Sequence, residues 1–270
     1  MNTTRMHYHT HVRPEHRDQP CLNARTEYAD GMIEHDGTVG SLLKTLDDLG
    51  AADNTIVIYT TDNGPHINSW PDSAMTPFRS EKNTNWEGAY RVPALVRWPG
   101  HIKAGSVSNE IFSGLDWFPT LVAAAGDSDI KQELLEGHKI GADTFKVHLD
   151  GFNQLPYLTG AQPKGARQSF LYFNDENDLV AARHENWKVI FEEQRAPGTA
   201  QIWSDPFERA DVTSNSYWAW TLDRNFVIAV GLVDVENFLA TLKEFPPSQR
   251  AASYTVDQMI EETKEAIGAD

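Results

Sequence analysis

The stretch TIVIYTTDNGPH, from Thr55 to His66, decides how this chain is read. Its first five residues are β-branched or aromatic, the composition of a strand. The apolar run then stops at Asp62, Asn63 and Gly64. A carboxylate and a carboxamide thus stand together at the carboxyl end of what reads as a buried strand, the edge where open α/β sheets bind ligands. Both supply hard oxygens suited to Ca²⁺ or Mg²⁺. Asp-Asn-Gly-Pro is equally strong turn chemistry, because Asx side chains hydrogen-bond local backbone. From the tetrapeptide alone, the turn is the better-supported reading.

Upstream, Tyr28, Met32, Val39, Leu42, Leu46 and Leu49 recur at helical spacing between Thr26 and Gly50, Leu43 widens the stripe, and Gly50 is placed to close it. Downstream, Val92–Gly100 reads as a second buried strand and Asp116–Gly126 as a helix closed by glycine. Helix, strand, strand, helix with continuous apolar strands predicts a parallel sheet covered on both faces. After Gly151 the pattern changes. Ser169–Gln194 breaks into three short strand-like runs joined by polar turns, the pattern of an antiparallel meander. Residues 215–230, 235–245 and 255–268 read as helices, the last of them acidic. The expected fold class is therefore α/β. Residues 1–150 would form a sheet with flanking helices, and residues 151–270 a smaller antiparallel sheet with terminal helices. About two dozen His- and Arg-rich residues precede the first helix without an opening strand. Two strands are few for a parallel sheet, so the α/β portion is expected to be incomplete on its N-terminal side.

Composition narrows the function classes. The 270 residues are 40% hydrophobic and 23% charged, ordinary for a globular chain with its own core. No apolar run approaches the ~20 residues of a membrane span, and the N-terminus lacks the apolar core of an export signal. The compartment stays open. A formal net charge of −16 argues against nucleic acid as partner but leaves room for a small anion at a local site. Cys21 is the single cysteine, so no intrachain disulfide or Cys-rich zinc site is available.

Between residues 76 and 100, TPFRSEKNTNWEGAYRVPALVRWPG carries Arg79 and Lys82 shortly after the Asp-Asn pair, then Glu87-Gly88. A lysine there could reach an anionic group held by the cation, and as a point charge it suits a tetrahedral oxyanion. The alternative is a solvated loop whose charges pair with each other. His7, His9 and His11 alternate near the N-terminus. They fit a zinc site, an exposed polar tail, or one histidine giving a proton to a leaving group, and spacing does not choose.

Taken together, IVIYTTDNGP, WPD, TPFRSEKNTNWEGAYRVPALVRWPGHIKAG and the preceding EYADGMIEHDGTVGSLLKTLDDLG resemble the sulfatase family of the alkaline-phosphatase-like superfamily, arylsulfatases in particular. FERAD and EFPPSQ resemble that family's C-terminal portion. The resemblance implies an alkaline-phosphatase-like sheet and hydrolysis of a small-molecule sulfate ester. It implies that Asp62 and Asn63 bind a divalent cation, usually Ca²⁺ with Mg²⁺ the alternative. Lys82 would hold the sulfate oxygens and His7 would contact the ester, with His9 and His11 as substitutes. His66 and Trp70 are candidates to line the pocket for the rest of the substrate, although each is equally a packed loop residue.

The family's nucleophile is a formylglycine made from the Cys or Ser of C/S-x-P-x-R. No such motif occurs in the 270 residues, and CLNAR (Cys21–Arg25) lacks the proline and follows the histidine. AQIWSDPFERAD is also shorter than the family usually has there. The chain is therefore expected to be the C-terminal part of a sulfatase, without nucleophile or first metal ligands and inactive alone. The competing readings are a phosphodiesterase or phosphonate hydrolase of the same superfamily, and a degenerate non-enzymatic homologue.

Overall fold

The computed structural model describes residues 5–7, 11–17, 26–67, 70–73, 75–174, 177–191 and 201–246. Its contacts divide the chain into two units. The first is Met1–Ser108 with Leu158–Gly160 and Phe207–Arg209; the second is Asn109–Tyr157 with Ala161–Pro206 and Ala210–Asp270.

The first unit opens with helix α1, Glu27–Asp48. Thr26 caps it, its Oγ1 accepting the Ala29 N–H at 3.2 Å. At the other end Gly50 takes a φ of 63°. Gly50 N–H reaches Asp47 O and Ala51 N–H reaches Leu46 O, at 3.0 and 2.9 Å, closing a Schellman turn. The buried face differs from the predicted stripe. Ala29, Asp30, Gly31 and Glu34 turn inward, while Leu42 and Leu49 are exposed. The His- and Arg-rich leader covers the inner face. Val12 is buried beside Gly31, and Arg5 and Arg13 both pair with buried Glu34, at 2.5 and 3.3 Å. The leader is thus docked at Arg5, Val12 and Arg13, while His7 and His11 remain exposed.

Strand β1, Val57–Thr60, pairs with β2, Ala94–Arg97, in register from Val57↔Arg97 to Thr60↔Ala94. The pairing is antiparallel, against the parallel expectation. A parallel neighbour needs a crossover element that carries the chain back to the starting end. Among the described residues, the connection holds only one helical turn, α2 at Glu87–Tyr90, so β2 starts beside the end of β1. Neither strand is fully buried, and Leu95 lies open.

In the second unit, Ser113 and Asp116 form a capping box ahead of α3, Trp117–Ala124. Then come α4 (Ile130–Glu136), the hairpin β3–β4 (His138–Ile140, Asp143–Phe145) and the single turn α5 (Leu155–Leu158). Asp116 is fully buried and bonded to Arg167, Nη2 to Oδ1 at 2.7 Å and Nε to Oδ2 at 3.0 Å. The Ser113 N–H at 2.9 Å, the Phe152 N–H at 2.8 Å and the Gln154 amide at 3.3 Å complete its shell.

The predicted meander is present as β5 (Ser169–Phe173), β6 (Leu179–His184) and β7 (Trp187–Ile190), extended by β8 (Gln201–Trp203) into one antiparallel sheet in chain order. The helices that follow are cut differently from expectation. Helix α6 is Asn215–Leu222 and α7 runs unbroken over Phe226–Thr241, because the chain turns at Asp223–Asn225. Val227 of α7 joins Val189 and Ile202 in the core, flanked by Trp187 and Trp220. The predicted helix over 255–268 lies outside the described residues.

Candidate functional site

The end of β1 is held by main chain against main chain. Gly64 N–H donates to Ala89 O at 2.8 Å, and Gly88 N–H to Arg79 O at 2.7 Å. A Cβ on Gly64 would drive into the carbonyl oxygen of Gly88, and a Cβ on Gly88 into those of Arg79 and Ser80. The glycines of Asp-Asn-Gly and Glu-Gly thus serve one purpose: they let two loops approach closer than any side chain permits.

The lysine loop docks on the same frame. Lys82 N–H donates to Pro65 O at 2.9 Å, three residues beyond Asp62. Ser80 and Asn83, both at φ 65°, bracket Glu81-Lys82 in the left-handed region. The Glu81 carboxylate accepts the Ile67 N–H at 2.5 Å, a second tie to the β1 loop. Lys82 itself is half-buried, and its ammonium has no hydrogen-bond or ion-pair partner among the described residues. Below this loop Asn85, Trp86 and Glu87 are buried, Arg79 stacks on Trp86 at 3.7 Å, and Arg91 Nε pairs with Glu87 Oε2 at 3.0 Å.

Asp62 is exposed, and its Oδ1 accepts from Thr61 Oγ1 at 3.3 Å. Asn63 donates its amide to Gly64 O at 2.8 Å, which commits the nitrogen to the loop and leaves the carbonyl oxygen on the other side of the carboxamide. This donor set suits a hard cation, but two oxygens are a fraction of the ~6–8 that Ca²⁺ takes. Among the described residues, no three His, Cys, Asp or Glu side chains cluster to hold a metal.

The Trp70 indole is buried and donates to Met6 O at 2.9 Å, which pins the segment carrying His7. Trp70 N–H donates to His66 O at 3.1 Å, and its ring meets Tyr28 edge-on at 5.9 Å. Burial, then the Asp72 carboxylate and Tyr59, raises the Tyr28 phenol above its ordinary value. His7 is exposed at the surface of this cluster, whereas His11 is engaged by Glu27 at 3.4 Å. His9 and Cys21 lie outside the described residues. The Trp70 indole bond to Met6 O and the main-chain bonds Trp70–His66 and Lys82–Pro65 therefore connect the segments carrying His7, Trp70, His66 and Lys82.

Sequence reasoning missed the buried carboxylates. Asp30, Glu34, Glu87, Asp116 and Glu208 are all buried, and no apolar periodicity marks them. Only Asp116 carried a usable signal, the Ser-x-x-Asp spacing of a capping box.

Comparison with known proteins fits these motifs. The sulfatase family matches residues 3–127. Human arylsulfatase A is 36% identical over 191 residues, 68% of this chain and 34% of that protein. Steryl-sulfatase of Rattus norvegicus is 37% identical over 199 residues, covering 69% and 32%. The chain spans about a third of the length of these relatives. Among solved structures, the PsFucS1 sulfatase from Pseudoalteromonas sp. superposes with a TM-score of 0.66 at 27% identity, over 84% of this chain and 45% of that one. Ps i-CgsB, at 21% identity and a TM-score of 0.65 over 95% of this chain and 52% of that one, shares the fold. The fold is thus the alkaline-phosphatase-like one of the sulfatases, and over residues 3–127 the chain belongs to the sulfatase family.

Proposed function

We propose that the β1 end and the Lys82 loop are the cation and sulfate side of a sulfuric ester hydrolase site of arylsulfatase type. The observation that carries this reading is the interlock of the Asp-Asn-Gly loop with the lysine loop, through Gly64, Gly88 and the Lys82–Pro65 bond. It ties the main chain that carries Asp62 and Asn63 to the main chain that carries Lys82. Asp62 and Asn63 would hold a divalent cation, Ca²⁺ by the donor chemistry with Mg²⁺ the alternative, as part of a larger ligand set. The cation supplies Lewis-acid stabilisation of charge on the transferring group when bound. Lys82 opposes the negative charge on the sulfate oxygens, an electrostatic contribution that does not reorganise during reaction. His7, next to the Met6 carbonyl that the Trp70 indole binds, would give a proton or hydrogen bond to the departing alcohol or phenol. His66 and Trp70 would border the remainder of the substrate, with Trp70 acting through its packing.

Titration calorimetry with Ca²⁺, inorganic sulfate and inorganic phosphate tests this. Asp62→Ala is expected to weaken Ca²⁺ binding about tenfold or more, and Lys82→Ala to weaken sulfate binding while leaving the fold intact. A preference for phosphate over sulfate would favour the phosphodiesterase or phosphonate hydrolase reading. One observation favours a non-catalytic role for these 270 residues by themselves, namely that C/S-x-P-x-R does not occur in them. Absence of aryl sulfate hydrolysis alongside intact sulfate binding would support that role.

A further inference from the structure

Glu208 lies on Phe207–Arg209, the short piece of distant sequence that packs within the first unit. It is 1% exposed and adopts a φ of 50°. A side chain in the left-handed region is strained, and glycine would relieve it. A glutamate kept there is explained by what its atoms hold. Oε2 accepts the Glu87 N–H at 2.8 Å, at the start of α2. Its carbonyl accepts from Arg79 Nη1 at 3.3 Å. The two contacts fall at opposite feet of the 79–87 loop, whose tip carries Lys82, and Phe207 stacks on Phe78 at 5.7 Å beside one foot.

We infer that Glu208 is a positioning residue for Lys82. Its carboxylate and carbonyl clamp both feet of the loop, so that Gly88 stays bonded to Arg79 and Lys82 stays bonded to Pro65. The clamp costs a buried carboxylate and a strained backbone, which are offset by a charge-assisted bond to a main-chain donor. This inference rests on Lys82 being the sulfate-holding group.

The test measures amide hydrogen exchange and inorganic sulfate titration on the 270-residue chain. Glu208→Ala is expected to speed exchange at Lys82, Gly64 and Gly88 roughly tenfold to a hundredfold, the loss of one buried bond, and to weaken sulfate binding. Glu208→Gln keeps an acceptor in place and is expected to restore most of both. The Phe191 amide, bonded to Val180 O in the second unit, serves as reference and stays unchanged. Unchanged protection at Lys82 and Gly64 in Glu208→Ala overturns the inference. So does equal loss at Phe191, which would make Glu208 a general packing residue. Lys82→Ala that leaves sulfate binding intact would sink the functional reading instead, with the exchange data still deciding the clamp.

Discussion

The end of β1 in the first unit and the Asp116 cluster in the second are secured by opposite means. In the first, the loops at the end of β1 meet main chain to main chain, and the glycines at 64 and 88 sit where any Cβ strikes a carbonyl oxygen. In the second, a buried carboxylate is satisfied by side chains and two peptide N–H groups, and α7 meets the sheet through side chains of ordinary clearance. Gly151, against Leu115 O, is the point in that unit where the backbone device recurs. The difference bears on function. A frame of interlocked peptides has no rotamers to relax, so it fixes the main chain from which the proposed site is built. Side-chain packing tolerates small volume changes but not an orphaned charge.

Gly64→Ala and Gly88→Ala attack the first device directly. Each is expected to cost more than about 4 kcal/mol, because the methyl meets backbone that cannot turn aside. Chemical denaturation checks this, with Phe191 amide protection showing that the second unit survives. A wild-type midpoint for Gly64→Ala would mean that the loops are not interlocked. Arg167→Ala attacks the second device. It leaves Asp116 buried without its cation, an expected loss of about 3–5 kcal/mol. The double variant Asp116→Leu with Arg167→Met is expected to be less damaging than Arg167→Ala alone. If it is worse, the pair contributes more than mutual neutralisation.

Much of the scaffold was legible because it follows local rules. The Gly50 closure and the three short strand-like runs of β5 to β7 are visible in sequence and present in the structure. The antiparallel β1–β2 pair was not, since a continuous apolar run does not encode strand direction; that depends on the connection. Of the proposed site, Asp62, Asn63 and Lys82 are singled out by residue type and resemblance. Their frame is not. The Gly64–Gly88 approach and the Glu208 contact to Glu87 join residues far apart in sequence, and no spacing rule records which backbones touch. Asp116 and Arg167 are hidden for the same reason, 51 positions apart.

The side-chain-packed region also predicts a gain. Gly231 sits inside α7, and a Cβ there would lie 3.5 Å from Val189 Cγ2 and 3.8 Å from Ala182 Cβ, in ordinary contact. Gly231→Ala is expected to stabilise by about 0.5–1 kcal/mol through the reduced entropy of the unfolded chain. A thermal midpoint below wild type would show that α7 lies closer to the sheet than these distances allow.

The smallest effect is expected at Asp211, which is exposed ahead of α6. Its Oδ1 accepts from Thr213 Oγ1 at 2.6 Å and from Thr213 N–H at 2.9 Å. These bonds favour the carboxylate and hold its pKa below the ordinary aspartate value. A depressed carboxyl contributes stability above its unfolded pKa and loses it as the pH falls through the folded one. Thr213→Val removes the side-chain donor, the larger cause, and keeps the peptide N–H. The variant should therefore be slightly less stable than wild type near neutral pH, and the two should converge in strong acid once Asp211 is protonated in both states. Carboxyl resonances followed by NMR, with denaturation at the two pH extremes, check the sign. A gap that widens in acid would mean that Thr213 acts through packing and not through its hydrogen bond to the charge.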